Sequence, residues 1–227
     1  LKRADRDAKE GVVYAMVSAD GKKGVVIRLS SETDFVAKNE DFVNLAKEFT
    51  QIALDTFPAD LETLLKQPYQ NITIGEKVSE QVGVIGEKIE LADYQHIEAP
   101  QVVSYIHMGN KAGVILGLNN ADAKFRDAGR DVAMQVAAMK PVALDKDGVD
   151  ASIIEKEIEI GKELARQEGK PEDMLEKIAL GKLNRFFKDN TLLAQAFVKD
   201  NSLSVEAYLK SMDKDLTVTA FKHVKLG

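Results

Sequence analysis

The spacing of hydrophobic positions changes several times along the chain, and each change marks an element. Gly11 to Leu29 (GVVYAMVSADGKKGVVIRL) holds two β-branched runs separated by Ser18, Ala19, Asp20 and Gly21, which predicts a β-hairpin. Ser30, Ser31, Thr33 and Asp34 then offer side-chain acceptors for a helix start. From about Glu40, the apolar residues Phe42, Leu45, Ala46, Phe49, Ile52 and Ala53 recur at steps of three and four, so a helix buries one face. Val102 to Leu118 (VVSYIHMGNKAGVILGL) is again two apolar runs, around Gly109 and Asn110. Polar Asn119, Asn120 and Asp122 follow it, and then a helical pattern carries Val132, Met134, Val136, Ala137 and Met139 before Pro141 stops it.

The order of parts has repeated. Aligning Gly24 with Gly113 pairs GVVIRLSS with GVILGLNN, and a two-residue deletion then pairs Ala46-Lys-Glu-Phe49 with Ala133-Met-Gln-Val136, a duplicated unit of about 90 residues. Gly83 to Ile97 and Leu216 to Val224 are candidate third strands. Each half then reads as a small antiparallel sheet covered on one face by helices, an α+β chain. Between the second helix and the final strand, Asp150 to Asn190 is an insertion. Ser152 with Glu155 fits a capping box, and Ile154, Ile158, Gly161 and Ala165 trace one narrow seam. Gly169-Lys170-Pro171 breaks it, with Pro171 at a first helical position, and Met174, Leu175, Ile178, Ala179, Leu183, Phe186 and Phe187 trace a second. Two antiparallel helices joined by a short turn satisfy that pattern.

Charge narrows the function. Lys plus Arg is 31 against 37 for Asp plus Glu in 227 residues, a net charge of −6. With no basic run, phosphate-driven nucleic-acid binding loses its main electrostatic support. Zero cysteines removes disulfides, thiolate metal sites and cysteine nucleophiles, and is compatible with a reducing cytosol. No apolar stretch is long enough for a membrane span, and LKRADRDAKE at the start has no signal-peptide centre.

Candidate chemistry is sparse. No G-x-x-x-x-G-K-[ST], H-E-x-x-H or G-x-S-x-G occurs, and the three histidines, His96, His107 and His223, are not paired at helical spacing. Glu155, Glu157 and Glu159 read as a solvated helix surface. The expectation is no cofactor, no metal and no catalytic residue. The unusual segment is Thr33 to Phe42 (TDFVAKNEDF). Taken alone, Thr33 and Asp34 read as helix caps and Phe35 as a staple into the core; the sharper reading makes Phe35 an exposed aromatic anchor for a partner's pocket.

Thr33 to Ala37 (TDFVA) with Asn39, Glu40, Asp41 and Phe42 resembles the signature of the translation elongation factor Ts family. Other segments fall in that family's order: Arg6 to Gly11, Ile85-Gly86-Glu87, Ser104-Tyr105 with His107, Gly113 to Leu116, Ala133 to Pro141, Gly169-Lys170-Pro171 and Ala196-Phe197-Val198. The resemblance implies two related α/β core subdomains, residues 1–100 carrying TDFVA and residues 101–149 with 190–227, and an inserted coiled-coil hairpin at 150–189. It implies a guanine-nucleotide exchange factor that releases GDP from elongation factor Tu, in GDP-bound and nucleotide-free forms, in the cytoplasm of a bacterium or in an organelle. Carried over, Phe35 is a wedge near the partner's magnesium and phosphate site, with Asp34 its polar companion and Thr33 and Val36 flanking them. Ile85 and Gly86 lie against the same partner domain, and His107 and Val198 make separate contacts. Lys199 stands where the family usually has an apolar residue. The family also has a compact helical module, expected ahead of Leu1. The alternative reading is a module that binds elongation factor Tu or another protein without exchange activity. Whether the chain dimerises stays open.

Overall fold

The computed structural model describes residues 2–227, which form two compact units. One comprises the chain up to Ala137 together with Val218–Gly227, the other Ala138–Thr217. In chain order the first unit begins with β1 (Glu10–Val17), β2 (Lys23–Ser31), α1 (Asp34–Lys38), α2 (Glu40–Thr56) and α3 (Leu61–Leu65). It continues with β3 (Pro68–Tyr69), β4 (Ile72–Thr73), α4 (Ile74–Ile85), β5 (Glu90–Glu98), β6 (Gln101–His107), β7 (Ala112–Leu118) and α5 (Arg126–Met139). The second unit holds α6 (Ala151–Gln167), α7 (Leu175–Asn190), β8 (Ala196–Phe197), β9 (Asp200–Ser204) and α8 (Val205–Met212), and β10 (Val218–Lys225) returns to the first.

In the first unit two antiparallel three-stranded sheets have the same plan. One has the order β1-β2-β5 and the other β6-β7-β10, so each is a hairpin, a helix, and a third strand added beside the hairpin's second strand. Alternation along β1 and β2 sorts their side chains. Val12, Val25, Ile27 and Leu29 meet Phe42, Leu45, Ala46, Phe49 and Ala53 of α2, while Val13, Ala15 and Val26 face Ile97, Val102, Ile115 and Val224 in a second core. The face that periodicity left uncovered is therefore covered by the other sheet, and this explains why the strands read as nearly continuous apolar runs.

The contact between the sheets is close and reciprocal. A Cβ on Gly24 would lie 2.6 Å from Val102 Cγ1, and one on Gly113 would lie 2.9 Å from Val13 Cγ1, so only glycine leaves room for the valine of the facing sheet. The hairpin turns are exchanged as well. Gly21 of the first accepts a hydrogen bond from Val102 N–H at 2.6 Å, and Asn110 of the second accepts one from Val13 N–H at 2.8 Å. Gly24 and Gly113, the residues that anchor the sequence repeat, thus do the same packing work in both sheets.

In the second unit α6 packs on α7 through small residues: a Cβ on Gly161 would lie 3.1 Å from Ala179 Cα, and Ala165 and Ala179 are fully buried. Arg166 secures the reversal, donating to Glu163 at 2.7 Å and Glu172 at 3.1 Å. The caps differ from the sequence reading. Asp150, not Ser152, caps α6, because its carboxylate accepts both the Ser152 amide at 2.8 Å and the Ser152 hydroxyl at 2.6 Å. Pro171 precedes a short 3₁₀ turn, Glu172–Met174, as its N-cap rather than as its first helical residue. After the helices in sequence, Phe197 stacks on Tyr208 with ring centroids 4.1 Å apart.

Candidate functional site

The TDFVA segment is a single helical turn between two breaks. Thr33 is extended (φ −114°, ψ 153°) and caps α1, its hydroxyl accepting the Val36 amide at 3.4 Å. Six residues later Asn39 leaves the helical region and caps α2 through the Asp41 amide at 2.9 Å. Successive helical side chains point about 100° apart, so Val36 packs onto the first core while its neighbour Phe35 points out. Phe35 is 85% exposed, the most exposed of the large hydrophobic residues described. The staple reading of Phe35 is thereby corrected. Asp34 bridges to Lys38 at 3.3 Å, on a surface open enough that the pair adds little stability.

A second segment comes alongside. The sequence reading placed Gly83–Ile85 in a strand candidate, but these residues end α4, which opens with a reciprocal capping box between Thr73 and Glu76. Gly86 closes the helix in the left-handed region (φ 81°), its amide reaching Val82 at 3.0 Å, a conformation that glycine adopts without strain. At the helix base the Tyr69 hydroxyl donates to Glu48 at 2.8 Å, and burial with that carboxylate pushes its pKa up to about 12. Ile85 packs partly on the first core and Val84 is 73% exposed. Phe35, Val36, Phe42, Gln81, Val84 and Ile85 line one groove of about 420 Å³.

The structure thus brings together Thr33, Asp34, Phe35, Val36, Ile85 and Gly86. His107 lies apart from that groove at the end of β6. Its Nδ1 is 3.1 Å from the Tyr105 hydroxyl, and the next three residues, Met108, Gly109 and Asn110, all have positive φ (50°, 65° and 66°). Met108 is itself well exposed. Val198 belongs to the second unit, in the two-residue turn between β8 and β9, and is 50% exposed. Two residues escaped the sequence reading as contributors. Val84 gave no signal beyond being an apolar residue beside Ile85, and Glu87 appeared only as part of a motif. Glu87 accepts from the Glu32 and Thr33 amides and from the Thr33 hydroxyl, at 3.1, 3.0 and 2.7 Å.

Among the described residues no three His, Asp or Glu side chains are grouped to hold a metal, and no helix is long and apolar enough to cross a membrane. An aromatic held outward on a capped turn, beside an apolar groove, is a geometry for engaging another protein.

The family model for Elongation factor TS matches residues 32–227. The chain belongs to the elongation factor Ts family. Elongation factor Ts of Christiangramia forsetii is 54% identical over 226 residues, covering 100% of this chain and 82% of that protein. The Cytophaga hutchinsonii protein is 51% identical over 226 residues and that of Flavobacterium psychrophilum 50% over 225, each covering 99% of this chain and 81% of the relative. The elongation factor Ts match includes the Phe35 turn, α4, His107 and Val198, so every element of the geometry above falls within it.

Proposed function

We propose that this chain acts in translation elongation as a guanine-nucleotide exchange factor, binding elongation factor Tu and promoting loss of its GDP. The observation that carries the reading is Phe35, an exposed phenylalanine on a turn fixed at both ends. Burying such a side chain in a partner's pocket suits a hot spot, where single aromatics contribute about 2 kcal/mol or more. A nucleotide held at nanomolar affinity is bound by about 12 kcal/mol, so its release is slow until something raises the energy of the bound state. A factor that binds the nucleotide-free partner more tightly does this without bond chemistry, and linkage makes nucleotide weaken the factor by the same ratio. In this reading Phe35 wedges near the partner's magnesium and phosphate site, and Asp34 provides its polar companion. Ile85 and Gly86 support the same contact, while His107 and Val198 touch other parts of the partner. The α6–α7 pair serves as a coiled-coil hairpin, and the setting is the bacterial cytoplasm.

Stopped-flow release of a fluorescent GDP analogue from elongation factor Tu tests this. The chain is expected to accelerate release, and Phe35→Ala to lose about 10- to 100-fold of that acceleration while remaining folded. Tight binding without acceleration by the unaltered chain would instead select the simple binding module.

A further inference from the structure

Phe35 is 85% exposed, so its position comes from what holds the α1 turn: Val36 on the first core, the Asn39 break behind it, and the bonds that connect Thr33 to the end of α4. The connection is a crossed pair of carboxylates. Glu87, just beyond the end of α4, accepts the Glu32 and Thr33 amides on Oε1 and the Thr33 hydroxyl on Oε2. In the opposite direction Glu32 Oε1 accepts the Lys88 amide at 2.7 Å, with Arg6 Nη1 at 3.5 Å. The Thr33 hydroxyl is a relay. It donates to Glu87 and accepts from Val36, so the carboxylate, the cap and the α1 turn form one chain of bonds. Within α1 the other anchor is Val36, packed on the first core; a five-residue helix has no intrinsic stability, and neither Phe35 nor Asp34 is buried.

We propose that Glu87 is a positioning residue for nucleotide exchange, clasping the Phe35 turn to the end of α4 so that Phe35 and Ile85 meet the partner as one preformed edge. This rests on the assignment of Phe35 as the exchange wedge. The physical basis is preorganisation. Amide-to-carboxylate bonds are charge-assisted and stronger than neutral ones, and ordering the turn beforehand removes an entropic cost that would otherwise fall on the encounter. A wedge that wanders still binds, but is misplaced when the nucleotide site must be disturbed. Loss of the clasp should therefore lower the maximal release rate more than it raises the concentration needed for half the effect.

The experiment measures release of a fluorescent GDP analogue from elongation factor Tu across a concentration series of the intact chain, Glu87→Ala, Glu87→Gln and Phe35→Ala. Hydrogen exchange at the Glu32 and Thr33 amides and thermal unfolding are followed in parallel. Glu87→Ala is expected to lower the saturating rate about tenfold, with the half-maximal concentration rising less than about threefold and both amides exchanging at least about tenfold faster. Glu87→Gln, whose amide oxygen still accepts both N–H groups, should retain at least about a third of the rate. If the alanine variant does not fold, Glu87→Asp, which keeps the charge but withdraws it by one methylene, is read on the same criteria. A saturating rate within twofold of the intact chain for Glu87→Ala, or for the substituted Asp, overturns the positioning role if Phe35→Ala abolishes acceleration. If Phe35→Ala leaves acceleration intact, the wedge assignment fails, and the role given to Glu87 fails with it.

Discussion

In both sheets of the first unit a phenylalanine lies in the connection between the second strand and the helix, and the two have opposite fates. Phe35 is 85% exposed and Phe125 is 2% exposed. The second connection runs through the 3₁₀ turn Ala123–Phe125, capped by Asp122, straight into α5. Phe125 is therefore in phase with Ala128, Val132 and Val136, all buried. The first connection is interrupted by Asn39, which caps α2 afresh and leaves α1 free to turn its aromatic outward. One break in helical phase separates a core residue from an exposed one, although residue type and neighbourhood are alike.

The largest expected contrast tests this directly. Phe125→Ala should cost about 3–5 kcal/mol of stability by leaving a cavity, whereas Phe35→Ala should change stability by less than about 0.5 kcal/mol. Denaturant melts measure both. Equal losses would mean that Phe35 is structural after all.

The shared plan can be strained at its matched glycines. Gly24→Ala and Gly113→Ala each push a methyl against a valine of the facing sheet, and each should destabilise by about 1–3 kcal/mol. A near-neutral result at one position alone would show that the two sheets do not bear equally on their interface. On the exposed side, Val84→Asp should weaken partner binding by about three- to tenfold with the melting temperature unchanged, as titration calorimetry would show.

The smallest contrast concerns acid. In the first hairpin turn, hydrogen bonds from the Ser18 hydroxyl and the Lys22 amide hold the Asp20 carboxyl below its ordinary pKa of 3.8. Its contribution is complete above that value and is lost as the pH falls through the lowered one. The Met108–Asn110 turn has no carboxylate. Hydrogen exchange at Ser18–Lys22, corrected for intrinsic rates, should therefore accelerate below pH 3.8 while that of the second turn does not.

Both hairpins, both long helices and the paired helices of the second unit were legible because their apolar periods are strong and their turns carry Gly, Asn or Asp. Helix α4 was not. It contains two glycines and five β-branched residues after its cap, Ile74, Val78, Val82, Val84 and Ile85, which imitate a strand. The Thr73–Glu76 capping box was its visible signal. At the site, Phe35 stood out as a residue, but its exposure depends on the phase break at Asn39, which periodicity does not report. The support from Glu87 was hidden for another reason: it lies 54 residues from Thr33 in sequence, and only the fold brings them together.

The place of β10 has a consequence for synthesis. The strand pairs along β7, whose seven residues are all buried, yet about a hundred residues separate the two. On the ribosome, at about 5–20 residues per second, β7 waits several seconds or more with an unpaired apolar edge while the whole second unit is made. The first unit is thus begun before the second and completed after it. During that interval the nascent chain is at its most vulnerable to mispairing, and any stop before Val218 makes the exposure permanent.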